Sequence, residues 1–192
     1  MWWKNILEFI FPDVDDIGWS PKTQLLLDKT KASAQKMQYR LDHGRSMVDL
    51  HYKPKYFQTE ELVDPYTFAH KGEAALGTMD VRILITADNI REYFGRVMTI
   101  NNWHIGGERE WSGLRTKDST YYSPYSQHSF GRAIDFLIKG LDAQEVRDRI
   151  KADQNHKAFQ YITRMENYPT MSWIHVDCMN WNRENGIYVF KP

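Results

Sequence analysis

His128 and Asp135 stand seven residues apart in Ser126-Gln127-His128-Ser129-Phe130-Gly131-Arg132-Ala133-Ile134-Asp135. A second histidine follows in Trp173-Ile174-His175-Val176-Asp177. Two imidazoles and one carboxylate form a common ligand set for a catalytic zinc, with the fourth position left to water. A zinc ion held by His128, Asp135 and His175 would polarise a carbonyl and bring the pKa of a bound water down to about 7.

Such a site requires the two motifs to meet. Read as a strand, Ala133 to Ile138 alternates, with Ala133, Asp135 and Leu137 on one face and Ile134, Phe136 and Ile138 on the other. The same parity puts Trp173, His175 and Asp177 on one face of the second run, opposite Ile174, Val176 and Cys178. Neighbouring strands would then join Asp135 to His175 on one face while the other face packs a core. Gly131 allows the loop bearing His128 to turn back towards Asp135. Asp177 is a candidate partner for a metal-bound histidine or a structural acid, and Cys178 is expected in the core.

At these residues the chain resembles the M15 group of zinc peptidases. That group includes D-alanyl-D-alanine carboxypeptidases and phage endolysins, and it shares its fold with the hedgehog signalling domain. The pattern S-x-H-x-x-G-x-A-x-D is matched at Ser126, His128, Gly131, Ala133 and Asp135, and W-x-H-x-D at residues 173–177. Ser112-Gly113-Leu114-Arg115 resembles the family's S-G-x-R, which implies a substrate-binding and catalytic role for Arg115 at a carboxylate or an oxyanion. The resemblance covers roughly residues 54–192 and implies a zinc cofactor and peptidoglycan stem peptides as substrate.

The chemistry also needs a general base within hydrogen-bond reach. Many members of the group place a Glu three residues before the second His, where this chain has Ser172. The nearest carboxylate before His175, apart from the ligands, is Glu166. Its context, Ile162-Thr163-Arg164-Met165-Glu166, is similar to that of an upstream Glu in some phage-type members, so Glu166 is the expected base. The turn-forming run Asn167-Tyr168-Pro169-Thr170 would bring it back to the metal. Ser126 either hydrogen-bonds substrate or orients the loop. Tyr121, Tyr122 and Tyr125 either line a substrate groove or cover the core edge, and Tyr125 is the one carried forward as substrate-binding. His51, His70, His104 and His156 belong to no such motif, His104 being the one to watch.

The chain has 192 residues, with Lys+Arg 25 and Asp+Glu 25. Zero net charge argues against charge-driven nucleic-acid binding. One cysteine excludes an internal disulfide. The most apolar stretch, Trp2 to Phe11, is interrupted by Lys4, Asn5 and Glu8, too short to span a membrane and unlike a signal peptide. The expectation is cytoplasmic synthesis without an export signal, followed by action on the cell wall or as part of a virion.

The elements expected around the site are those of an α+β domain, with an antiparallel sheet bearing the metal and flanking helices. Residues 1–52 form a helical N-terminal extension and 53–192 the peptidase-like domain. Residues 1–50 are a candidate handle for virion assembly or self-association. Thr59 is expected to cap a short acidic helix. Asp80 to Phe94 reads as an amphipathic helix ended by Gly95. Met98 to Trp103 reads as a strand, Leu141 to Arg149 as a helix starting at Asp142, and Phe159 to Met165 as a strand or helix edge. The resemblance implies a D,D-carboxypeptidase or endopeptidase, with phage-type cell-wall lysis as its setting. The rivals are a catalytically silent metal-binding recognition module and a virion structural protein of the same fold.

Overall fold

The computed structural model describes residues 52–168, 170–180 and 182–191. The expected N-terminal extension lies outside the described residues, apart from Tyr52. The fold is α+β. It comprises helices α1 (Pro65–Lys71), α2 (Val81–Phe94) and α3 (Ala143–Ala152) and strands β1 (Met98–Thr99), β2 (Ala133–Ile138), β3 (Arg164–Glu166), β4 (Ile174–Asp177) and β5 (Tyr188–Phe190). Among the described residues no helix is long and apolar enough to cross a membrane.

Local chemistry sets the helix ends. The carboxylates of Asp64, Asp80 and Asp142 accept the backbone N–H groups of Thr67, Arg82 and Gln144, which otherwise have no partner in the first turn. Gly95 stops α2 in the left-handed conformation and donates to Arg91 and Glu92. Ile83, Leu84, Ala87 and Ile90 form the buried stripe of α2, and Val146 and Ile150 that of α3. The short acidic helix is a 3-10 turn, Thr59–Glu61, and its cap differs from expectation. Gln58 is the cap residue, its N–H bound by the Glu61 carboxylate, and the Thr59 hydroxyl donates to Glu73.

The sheet runs β1-β2-β4-β3-β5. It is mixed rather than wholly antiparallel: β1–β2, β2–β4 and β3–β4 are antiparallel, whereas β3 and β5 are parallel. The chain reverses after β4 and takes the free edge of β3, so β5 necessarily runs with β3. Two strand expectations are shortened. The segment from Met98 leaves the sheet after Thr99 because Asn101 and Asn102 bind elsewhere. Asn101 donates to Val63 and accepts from the Ser112 N–H, and Asn102 accepts from the Arg109 N–H. Likewise Lys157–Phe159 is a 3-10 turn, and the following strand is confined to Arg164–Glu166.

The register places Asp135 directly across from His175, and Ala133 across from Asp177. The alternate positions Ile134, Phe136, Ile174 and Val176 are buried in the core with the apolar stripes of α2 and α3. Arg147, on α3, is also buried, and its guanidinium donates to the carbonyls of Met171 and Trp173. This fixes the chain as it enters β4.

Asp88 is buried on α2 and gathers the start of the described chain. Its carboxylate accepts from the Tyr52 hydroxyl and from the N–H groups of Lys55 and Tyr56 at 2.6, 2.6 and 3.1 Å. Asp88→Ala removes the shared acceptor of these part-buried donors and is expected to cost about 1–3 kcal/mol. Denaturant unfolding of the full chain measures it, and a change below about 0.5 kcal/mol, typical of a neutral surface substitution, would contradict the role.

Candidate metal centre

His128, Asp135 and His175 converge from two strands and a loop. His128 Nε2 lies 3.2 Å from His175 Nδ1 and 3.2 Å from Asp135 Oδ1. His175 Nδ1 lies 2.7 Å from the same carboxylate oxygen. All three residues are buried. Ligand atoms held tetrahedrally at about 2.0–2.2 Å from a metal stand about 3.3–3.6 Å apart, so His128 Nε2 is near ligating separation from the other two atoms, which themselves lie at hydrogen-bond distance. Among the described residues this is the group that could hold a metal ion.

The second nitrogen of each ring decides whether those atoms can ligate. His128 Nδ1 is 2.7 Å from the Gly113 carbonyl oxygen. A carbonyl only accepts, so Nδ1 carries a proton, which makes Nε2, on the side of Asp135 and His175, the nitrogen that can ligate when a metal is present. His175 Nε2 faces Asp177 Oδ2 at 3.5 Å. Asp177, fully buried, takes up a paired contact from Arg164, with Nε at 2.9 Å and Nη2 at 2.7 Å from Oδ2.

Backbone geometry brings the His128 loop to the sheet. Gly131 has φ +63°, and a Cβ there would strike the Thr78 carbonyl, so the turn requires glycine. A Cβ on Gly113 would strike the Leu62 carbonyl. Ser126 orients the loop, since its hydroxyl accepts the His128 N–H at 3.3 Å.

The charges are coupled. Burial opposes ionisation of Asp135, but the two imidazoles outweigh it and hold the carboxyl well below the usual range. Burial likewise opposes charge on His175, but hydrogen bonding to Asp135 and Asp177 wins and raises its pKa to about 10. Burial works against charge on Asp177 too, and its contacts with His175 and Arg164 keep it below the usual range.

A cleft of about 490 Å³ opens onto the three ligands and is lined also by Arg115, Tyr121, Tyr125, Ser126, Glu166, Trp173 and Phe190. Glu166 reaches it from β3. Arg164 pairs with Asp177 and Met165 with Val176, and one further step of that register sets Glu166 opposite His175. The Glu166 carboxylate has no hydrogen-bond or ion-pair partner among the described residues. Arg115 is at the site, bonded to the Trp111 carbonyl and to Asp135 Oδ2 at 3.2 Å. Tyr125 stands exposed at the rim, and Tyr122 is exposed outside the lining. His104 is not brought to the cleft, His70 bonds within its own helix, and His156 caps the 157–159 turn. Cys178 is buried, as expected.

The sequence reading missed Arg109 and the structural part of Gly113. Arg109 crosses from the Ile100 carbonyl to that of Asp135. In the sequence, only the turn-forming pair Gly106-Gly107 just before it hints at a return of the chain. A second concavity, of about 560 Å³, is lined by Gln154, Gln160 and Arg183. There Arg183 binds the backbone carbonyls of Gln154, Phe159 and Gln160, which marks it as structural. In comparisons with known proteins, no family model, no curated protein and no solved structure matches the chain.

His128→Ala and His175→Ala are expected to remove bound metal, read by elemental analysis, with the fold retained by circular dichroism; full metal content in both variants would refute the site. The raised pKa of His175 carries a second expectation, for the metal-free chain. Its stabilising contribution is complete below the unfolded value of 6.5 and is lost as pH rises towards about 10. Thermal unfolding without metal should therefore weaken across that window, and a flat profile there would contradict it.

Proposed function

We propose that the chain is a zinc metallopeptidase of the hedgehog/DD-peptidase type that hydrolyses peptidoglycan stem peptides, as a D,D-carboxypeptidase or an endopeptidase. Its setting would be phage-type lysis of the cell wall, by a free or virion-associated enzyme. One observation carries the reading. His128 Nε2, Asp135 Oδ1 and His175 Nδ1 face one another at the floor of a cleft that also contains the Glu166 carboxylate, unpartnered among the described residues. The choice of zinc rests on the two-imidazole, one-carboxylate set with a side open to the cleft. The peptidoglycan substrate rests on the resemblance of the 112–115, 126–135 and 173–177 segments to the M15 group.

When bound, zinc supplies Lewis acidity for a peptide carbonyl and acidifies a water molecule. The Glu166 carboxylate takes a proton at the cleft floor and returns it to the leaving amine nitrogen. Asp177 keeps the far nitrogen of His175 facing a carboxylate, which makes the ring a better ligand. Arg115 steadies Asp135 through Oδ2, leaving Oδ1 for the ligand position. Tyr121, Tyr125, Trp173 and Phe190 wall the cleft and displace water from the bound peptide.

Purified cell walls and synthetic stem peptides, with and without chelator, test the proposal. The zinc-loaded chain should hydrolyse them, lose activity on chelation and regain it with zinc. Glu166→Gln should lower turnover by about 10²–10⁴-fold with zinc content unchanged. Zinc binding without hydrolysis of any wall peptide would instead support the recognition module. Wild-type turnover in Glu166→Gln would remove Glu166 as the base.

A further inference from the structure

Three arginines line the cleft, and their guanidinium edges are not equally free. Arg115 donates Nε and Nη2 to the Trp111 carbonyl, and Nη2 also reaches Asp135 Oδ2. Both edges able to grip a carboxylate with two parallel N–H bonds pass through Nη2, so neither is open. Arg109 spends Nε and Nη2 on two backbone carbonyls, those of Ile100 and Asp135, which leaves its Nη1 without a partner among the described residues. Arg164 is gripped instead by a single carboxylate. Its Nε and Nη2 hold Asp177 from one side. The outer edge, Nη1 with the second N–H of Nη2, has no partner among the described residues.

That edge is pre-organised. Asp177, which grips the inner edge, is fully buried. The Phe190 ring lies 4.9 Å from the guanidinium carbon, close enough for a cation–π contact. A guanidinium fixed on two sides loses little freedom when it takes a further ligand. Arg164 and Glu166 share the cleft face of β3, about 7 Å apart at strand spacing, and Arg164 is across from Asp177, beside His175.

We propose that the outer edge of Arg164 binds a carboxylate of the substrate, one or two residues from the bond that is cut. The proposal rests on the peptidase reading and deepens it, by making the substrate an acidic peptide and moving carboxylate recognition from Arg115 to Arg164. The ligand is either a C-terminal carboxylate or one carried within the chain, on a side chain or left free by a γ-linkage. The two are chemically equivalent at the guanidinium.

The test uses the full zinc-loaded chain and synthetic stem peptides in which each carboxylate is converted in turn to the carboxamide. One conversion should lower kcat/KM by about 10–100-fold, mostly through KM, the scale of a charge-assisted hydrogen bond. Its position tells whether the terminal or the internal carboxylate is read. Arg164→Gln should lose that factor on the acid and show no further loss on the amide, and Arg164→Lys should recover part of it, both with zinc content retained. Equal rates for acid and amide at every position would overturn the proposal in the wild-type chain alone, even if Arg164→Gln fails to fold. Discrimination that survives Arg164→Gln but vanishes in Arg115→Gln would overturn it too. Calorimetric binding of the same peptides to zinc-loaded Glu166→Gln separates the two readings. Preference for the acid without turnover by the wild-type chain refutes the peptidase and retains Arg164, whereas turnover without preference does the reverse.

Discussion

The hydrogen bond from the His128 ring to the Gly113 carbonyl is the contact on which the centre depends. It fixes the tautomer, and the tautomer decides which nitrogen can ligate. The bond exists because residues 112–115 are tied in from several sides. Leu114 N–H bonds to Leu62, Ser112 accepts from the Asp135 N–H, and Arg115 N–H bonds back to His128. Gly113 can lie against Leu62 only because it has no Cβ. A segment with no regular secondary structure thus connects the 3-10 turn region, β2 and the His128 loop.

The sheet arranges the remaining chemistry in two rows. One row crosses Asp135, His175, Glu166 and Phe190; the next crosses Ala133, Asp177, Arg164 and Tyr188. Cross-strand neighbours share a face, so the acids, the ligating ring and the arginine all stand on one side. Ile134, Phe136, Ile174, Val176 and Met165 occupy the other side, where burial is complete or nearly so. The apolar face thereby fixes the polar one, because a slip of one residue would bury the charges and expose the core.

Burying these charges is costly unless each has a partner. Asp135 is met by two imidazoles and Arg115, and Asp177 by His175 and Arg164. In the metal-free chain the proton on His175 supplies positive charge that a cation would otherwise provide. Uptake of a metal there would therefore release a proton from this ring.

The sequence alone singled out the three candidate ligands and much of the framework that brings them together. Alternation predicted that Asp135 and His175 would share a face, and they are direct cross-strand partners. The span of α2 was legible from its apolar periodicity and Gly95, and the start of α3 from Asp142, although α3 runs on past Arg149 to Ala152. Tertiary structure decided what depends on distant partners. The parallel β5, the early exit of the chain after Thr99 and the roles of Arg109 and Arg147 follow from contacts many residues away, which no local pattern encodes. Arg115 and Arg164 show the difference most clearly. A motif can bring a guanidinium to a cleft, but which of its N–H groups remain free depends on the acceptors that the folded chain places around it.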